Sequence, residues 1–152
     1  MDIFIMRHGE AEMNLGSDQA RKLNERGIQQ AYEQGIWLKN TALFEKVLVS
    51  PYVRAQETFA QINHVFEDSL RPKQETWKGI TPYGNAPMVV EYLDVLVEQG
   101  VQSVLIISHL PLVGEIVASL CGKNTARFYP STVAHVVWDG QTGHLQQVSY
   151  LG

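Results

Sequence analysis

Two arginines and two histidines stand just after short apolar runs in this chain. Side chains of those types, at strand ends, can hold and transfer an anionic group. Arg7-His8-Gly9 follows Ile3-Phe4-Ile5-Met6, Ser50-Pro51-Tyr52-Val53-Arg54-Ala55 follows Val47-Leu48-Val49, and Ser108-His109-Leu110-Pro111 follows Val104-Leu105-Ile106-Ile107. Two fixed positive charges disfavour a metal cation, so the imidazoles are not read as metal ligands. A phosphoryl group fits, because guanidinium forks match its oxygens two at a time. Its transfer depends mainly on positioning and charge stabilisation, and a neutral imidazole can attack phosphorus in line, forming a phosphohistidine that water then cleaves. Taken alone, Arg7-His8 reads equally well as a structural pair at a strand end; it gains meaning only if the fold brings the three clusters together.

Strand-like runs alternate with helix-like segments, which predicts an α/β fold with a mainly parallel sheet. In open sheets of this kind ligands bind outside the carboxyl ends of the strands, where all three clusters would lie. The pattern predicts a first strand over Asp2 to Met6, then a polar loop. A helix capped by Asn24 follows, with Ile28, Ala31, Tyr32, Gly35 and Ile36 on its inner face. After the strand Val47-Leu48-Val49, Ser50 reads as an N-cap and Pro51 as the first helical residue, with Ala55, Phe59, Ile62 and Phe66 turned inward. A strand is expected near Lys73 to Trp77 and a helix near Pro87 to Gln99 that buries Val89, Leu93 and Leu96. Ser103 to Ile107 reads as a fully buried strand. A helix bearing Val113, Ile116, Val117 and Leu120 follows and ends at Gly122. Val133 to Trp138 and Leu145 to Tyr150 read as a terminal hairpin.

Bulk composition narrows the function. The 152 residues suit one domain, and 45% hydrophobic with 18% charged residues is ordinary for a soluble globular protein. Net charge is −4 and no basic run occurs, which excludes the electrostatic footprint of a nucleic-acid binder. One cysteine rules out an internal disulfide and fits a reducing compartment. The reading is a cytoplasmic protein with no signal peptide and no membrane span. Cys121 and Arg127 have the Cys-x5-Arg spacing of cysteine-dependent phosphatases. Yet Cys121 falls at the end of a predicted helix, where the dipole opposes a thiolate, and core packing is the better reading. His64, His135 and His144 have no convergent partners and read as surface or structural.

The chain resembles the histidine phosphatase superfamily, the phosphoglycerate mutase-like or branch 1 type. The resemblance rests on Arg7-His8-Gly9-Glu10 after a strand, Ser50-Pro51-x-x-Arg54-Ala55-x-Glu57-Thr58, and Ser108-His109, in the family order. It implies a three-layer α/β/α sandwich with a mostly parallel central sheet, spanning residues 1–152 as a single domain without a lid insertion. It also implies that His8 is the phosphorylated nucleophile, that Arg7, Arg54 and His109 bind the phosphoryl group, and that Asn14 lies at the phosphate pocket. Neither cofactor nor metal is implied. Within the superfamily the chain looks most like the small bacterial phosphohistidine phosphatases. Many other members carry an acidic general acid near the position of Gly79; here Glu75 and Asp18 are the weak candidates. An alkoxide leaving group needs a proton, whereas an imidazole is far less basic, so the gap favours phosphohistidine over an ester. The expected partner is a phosphotransfer domain or phosphocarrier protein, met by a monomer. The alternatives are a small-molecule phosphomonoesterase and a catalytically dead phosphate-binding module.

Overall fold

The computed structural model describes residues 1–13 and 16–151, so Asn14 lies outside the described residues. Strands β1 (Asp2–Arg7), β2 (Lys46–Val49), β3 (Gln74–Thr76), β4 (Ser103–Ser108), β5 (Val133–Trp138) and β6 (Gly143–Ser149) form one sheet in the order β3-β2-β4-β1-β5-β6. The first four strands of that order pair in parallel, whereas β5 and β6 run antiparallel.

The central strands are apolar throughout because both their faces are covered. Alternate residues divide between two cores. Phe4, Met6, Val47, Val49, Leu105 and Ile107 pack with residues of α1 (Glu25–Thr41) and α2 (Val53–Val65). Ile3, Ile5, Leu48, Val104 and Ile106 pack with residues of α3 (Ala86–Glu98) and α4 (Leu112–Cys121). The result is the expected three-layer α/β/α arrangement.

Local chemistry sets the helix ends. The Asn24 side chain accepts from Gly27 N–H (2.8 Å) and starts α1, and Asn85 does the same for Met88 N–H (3.1 Å) in α3. Gly122, at φ 84°, terminates α4 in the left-handed region. Cys121 closes that helix partly buried against the core, and burial pushes its thiol pKa up, as a packing residue requires. Among the described residues no helix is long and apolar enough to cross a membrane.

Two expectations need correction. In α1 the inner stripe is Gly27, Ala31, Gln34, Gly35 and Leu38, while Ile28, Tyr32 and Ile36 are exposed. Close packing on α2 requires the glycine at 35: a Cβ there would lie 3.2 Å from Ile62 Cα and 3.1 Å from Val65 Cγ2. Gln34 is buried because its amide donates to the carbonyls of Ser131 (2.8 Å) and Ser149 (2.9 Å). In α2 the cap is not Ser50. The helix starts at Val53, behind Tyr52, without a side-chain cap. Its inner face, with Ala55, Phe59, Ile62 and Phe66, is as expected.

Candidate active site

Register explains why three distant segments meet. Arg7 is level with Ser108 and Val49 with Ile107, so β1, β4 and β2 end together as parallel neighbours. The ladder runs one step past the strands: His8 N–H donates to Ser108 O (3.0 Å) and Ser50 N–H to Ile107 O (3.1 Å). His8, His109 and Ser50 are thereby delivered to one crevice, and the first turn of α2 adds Arg54. These side chains are buried, with His8 at 7%, Arg54 at 4% and His109 at 1% exposure, and the two imidazole centroids lie 5.0 Å apart. Arg7 completes the group, its Nη1 donating to Phe128 O (3.0 Å). The four residues picked out in the sequence thus come together.

Hydrogen bonds define the state of His8. Arg54 Nε–H points at His8 Nε2 (3.2 Å), and a guanidinium can only donate, so Nε2 carries the lone pair. The proton is then on Nδ1, which donates to Gly9 O (2.7 Å). Burial holds the ring neutral, and Arg54 and Arg7 reinforce it against the bond to Gly9, so that its pKa is lowered to about 4. His109 falls further, to about 3, through burial and the adjacent His8 and Arg54. At neutral pH His8 is a neutral imidazole whose Nε2 is available as a nucleophile.

The crevice also holds buried nitrogens that could serve an anion. Among the described residues, Arg7 Nε and His109 Nδ1 are buried without a hydrogen-bond partner. An unmet buried polar group costs about 1–3 kcal/mol, so such atoms normally mark strain, a bound water or a ligand position. Loss of solvent, then the Arg54 charge, lowers the pKa of Arg7, as expected for cations crowded into one pocket. Among the described residues no group of three or more histidine, cysteine or acidic side chains could hold a metal ion.

Several supporting residues carried no separate signal in the sequence. Thr58 Oγ1 accepts from Gly9 N–H (3.0 Å) and donates to Arg54 O (2.8 Å), tying the loop after β1 to α2. Glu57 accepts from Leu23 N–H (2.8 Å). Both stand inside the motif that begins at Ser50, where helical spacing from Arg54 to Thr58 could have suggested a shared face. Gly9 is glycine for lack of room: an added Cβ would sit 2.6 Å from Gly27 O, and one on Gly27 would sit 2.0 Å from Glu10 O. The turn after β1 therefore lies directly against the start of α1.

Of the two weak acid candidates, Asp18 reaches the site and Glu75 does not join it. Asp18 accepts from Arg54 through its carbonyl (2.7 Å to Nη1) and its carboxylate (3.3 Å to Nη2). Its carboxylate also takes Arg21 Nη1 (3.0 Å); that bond, with Arg54, keeps its pKa below the usual carboxylate range. Glu75 is engaged with Lys46 (3.0 Å) and Tyr92 (2.5 Å) on the β2–β3 side. His135 stacks on Phe4 (4.1 Å) and pairs with Asp2 (2.7 Å), a structural role away from the crevice.

A family model for the histidine phosphatase superfamily (branch 1) matches residues 3–80, the stretch that holds Arg7, His8 and Arg54. The chain belongs to this superfamily. It is 56% identical to the phosphohistidine phosphatase SixA homolog of Haemophilus influenzae over 152 residues, covering 95% of this chain and 93% of the relative. Against the phosphohistidine phosphatase SixA of Escherichia coli it is 40% identical over 141 residues, covering 91% and 86%. In structure it matches the protein histidine phosphatase SixA complexed with tungstate, with a TM-score of 0.91, 38% identity and coverage of 97% and 96%. The fold extends to phosphoserine phosphatase from Entamoeba histolytica, at a TM-score of 0.70 and 16% identity over 99% and 97% of the two chains. This superfamily member therefore presents the strand-end histidines and arginines on the fold shared by those phosphatases.

Proposed function

We propose that this chain is a phosphohistidine phosphatase that works through a covalent phospho-His8 intermediate. The carrying observation is the state of His8: buried, neutral, with Nε2 unprotonated and facing the Arg54 guanidinium. SixA relatives at 56% and 40% identity support the substrate class. In the first step His8 Nε2 attacks phosphorus in line on a substrate imidazole protonated at its other nitrogen, the P–N bond breaks to release that imidazole neutral, and Arg54 passes its N–H donors to the phosphoryl oxygens. The charge that develops on the His8 ring is met by Gly9 O, already bonded to Nδ1–H. Arg7 and His109 supply the remaining donors. Water then cleaves the phospho-His8 bond, releasing inorganic phosphate and restoring the neutral imidazole.

An imidazole leaving group fits the acids at hand. Asp18, the carboxylate at the site, is held ionised by Arg21 and Arg54 and has no proton to give near neutral pH. The substrate is a phosphohistidine-bearing protein, a phosphotransfer domain or phosphocarrier, and exposed apolar side chains close in sequence to site residues support contact with a protein surface. Leu110 directly follows His109, Tyr129 follows the Phe128 carbonyl that holds Arg7, and Tyr83 lies just after the Ile80 carbonyl that accepts from Ser108; all three are exposed. Rapid quenching with labelled phosphohistidine protein tests the mechanism. Wild type should trap label on His8, His8→Ala should trap none and turn over nothing, and Arg54→Ala should lose activity severely. A clear preference for an alkyl phosphate over a phosphoramidate would instead make this a phosphomonoesterase, and an unlabelled wild type would make it a binding module.

A further inference from the structure

We propose that Ser50 is a positioning residue: its hydroxyl sets the tautomer of His109 so that Nδ1–H serves as a donor to the phosphoryl group. The inference rests on the phosphoryl-transfer reading above. Ser50 Oγ lies 2.7 Å from His109 Nε2 and also accepts from Tyr52 N–H (3.3 Å). Ser50 is fully buried, and those are its hydroxyl's contacts among the described residues. A serine hydroxyl has one hydrogen to donate. The N–H of Tyr52 occupies one of the hydroxyl's two lone pairs, and His109 Nε2 is the one acceptor for the hydroxyl hydrogen among the described residues; the reverse direction would leave that buried hydrogen unmet. Nε2 must then be bare, and the ring hydrogen is on Nδ1, the atom left buried without a partner.

The two histidines of the site are thereby held with opposite free atoms. Both carry hydrogen on Nδ1. In His8, Gly9 O takes that hydrogen and Nε2 is left to attack. In His109, Ser50 occupies Nε2 and the Nδ1–H is left to donate. The Tyr52 ring, edge-on to His109 at 5.0 Å, holds the imidazole plane, and the ring centroid of His109 lies 5.0 Å from that of His8. With the reverse tautomer, His109 would turn a lone pair toward an anion. This assigns the displaced Ser50 a role: it is withdrawn from capping α2 and spent on the imidazole. A serine directly after β2 is well sited for this, because the parallel register puts it level with Ser108, one residue before His109.

Nitrogen-15 NMR of histidine-labelled wild type near neutral pH tests the tautomer without any substrate. The expected spectrum shows His109 with a protonated, pyrrole-type Nδ1 and a pyridine-type Nε2; the reverse pattern overturns the proposal. In Ser50→Ala the Nδ1-protonated form should lose population while the His8 signals stay in place. Turnover should fall on the order of a hundredfold, as for loss of one preorganised donor to a transition state. Tungstate, used as the oxyanion probe, should bind more weakly, and Ser50→Thr should restore both. A folded Ser50→Ala protein with wild-type turnover and an unchanged His109 tautomer refutes the assignment. If Ser50→Ala does not fold, the wild-type spectrum still decides. A different true substrate would alter only the turnover assay and leave the tautomer and tungstate results intact.

Discussion

Acid should destabilise this protein through His8 in a definable pH window. Burial, helped by Arg54 and Arg7, lowers the folded-state pKa to about 4 from the ordinary histidine value of about 6.5. Between those values the unfolded chain binds a proton that the folded chain refuses, so stability rises with pH across the window. The contribution is therefore fully present above the unfolded pKa and is lost as pH falls toward the folded one. One pKa unit is 1.36 kcal/mol, so the complete loss through His8 is ~3 kcal/mol, of which ~2 kcal/mol is gone by about pH 4.5. Against a typical stability of about 5–15 kcal/mol that is a large share. Urea unfolding of wild type and His8→Asn at a series of pH values isolates it, because the carboxylates that titrate nearby are common to both. Between about pH 7 and about pH 4.5 the wild type should lose ~2 kcal/mol more than the variant. His109, lowered to about 3, contributes in the same direction in both proteins. Parallel curves would refute the claim that the fold holds His8 neutral. The kinetic counterpart is a kcat/KM that stays flat through about pH 6.5 and falls only near pH 4.

Replacing Thr58 by Val removes the acceptor of the buried Gly9 N–H and should cost about 1–3 kcal/mol in thermal or urea unfolding, with turnover reduced because His8 is no longer anchored to α2. Gly9→Ala must push its Cβ against the Gly27 carbonyl at 2.6 Å; the expected result is several-fold lower soluble yield and a Tm well below wild type, and an unchanged Tm would contradict the packing. Asp18→Asn retains an acceptor for Arg54 but removes the charge, so kcat on phosphohistidine should stay within about tenfold of wild type; a drop of ~10³ would identify Asp18 as a general acid.

Much of the architecture could be read along the chain because it is written in local periodicity. Continuous apolar runs marked β1, β2 and β4, Asn24 and Gly122 marked helix ends, and the placement of Arg7, His8, Arg54 and His109 just past the runs implied a shared crevice. The sequence also carried the superfamily motifs, so the kind of chemistry was legible before the fold was. Residues whose roles depend on a partner far along the chain were not legible. Ile28, Tyr32 and Ile36 have helical spacing but face solvent, because the α1–α2 contact leaves no room for a side chain at Gly35 and Gln34 is needed inside for two carbonyls. Ser50 looks like a helix cap until β4 brings His109 to 2.7 Å. Asp18 looks like a solvated loop charge until Arg54 reaches its carbonyl and carboxylate. Which side chains stand at the strand ends follows from the chain alone, since a strand end is a local event. Their protonation, tautomers and free donors arise in the folded arrangement, because burial and hydrogen bonding are properties of neighbours that are distant in sequence.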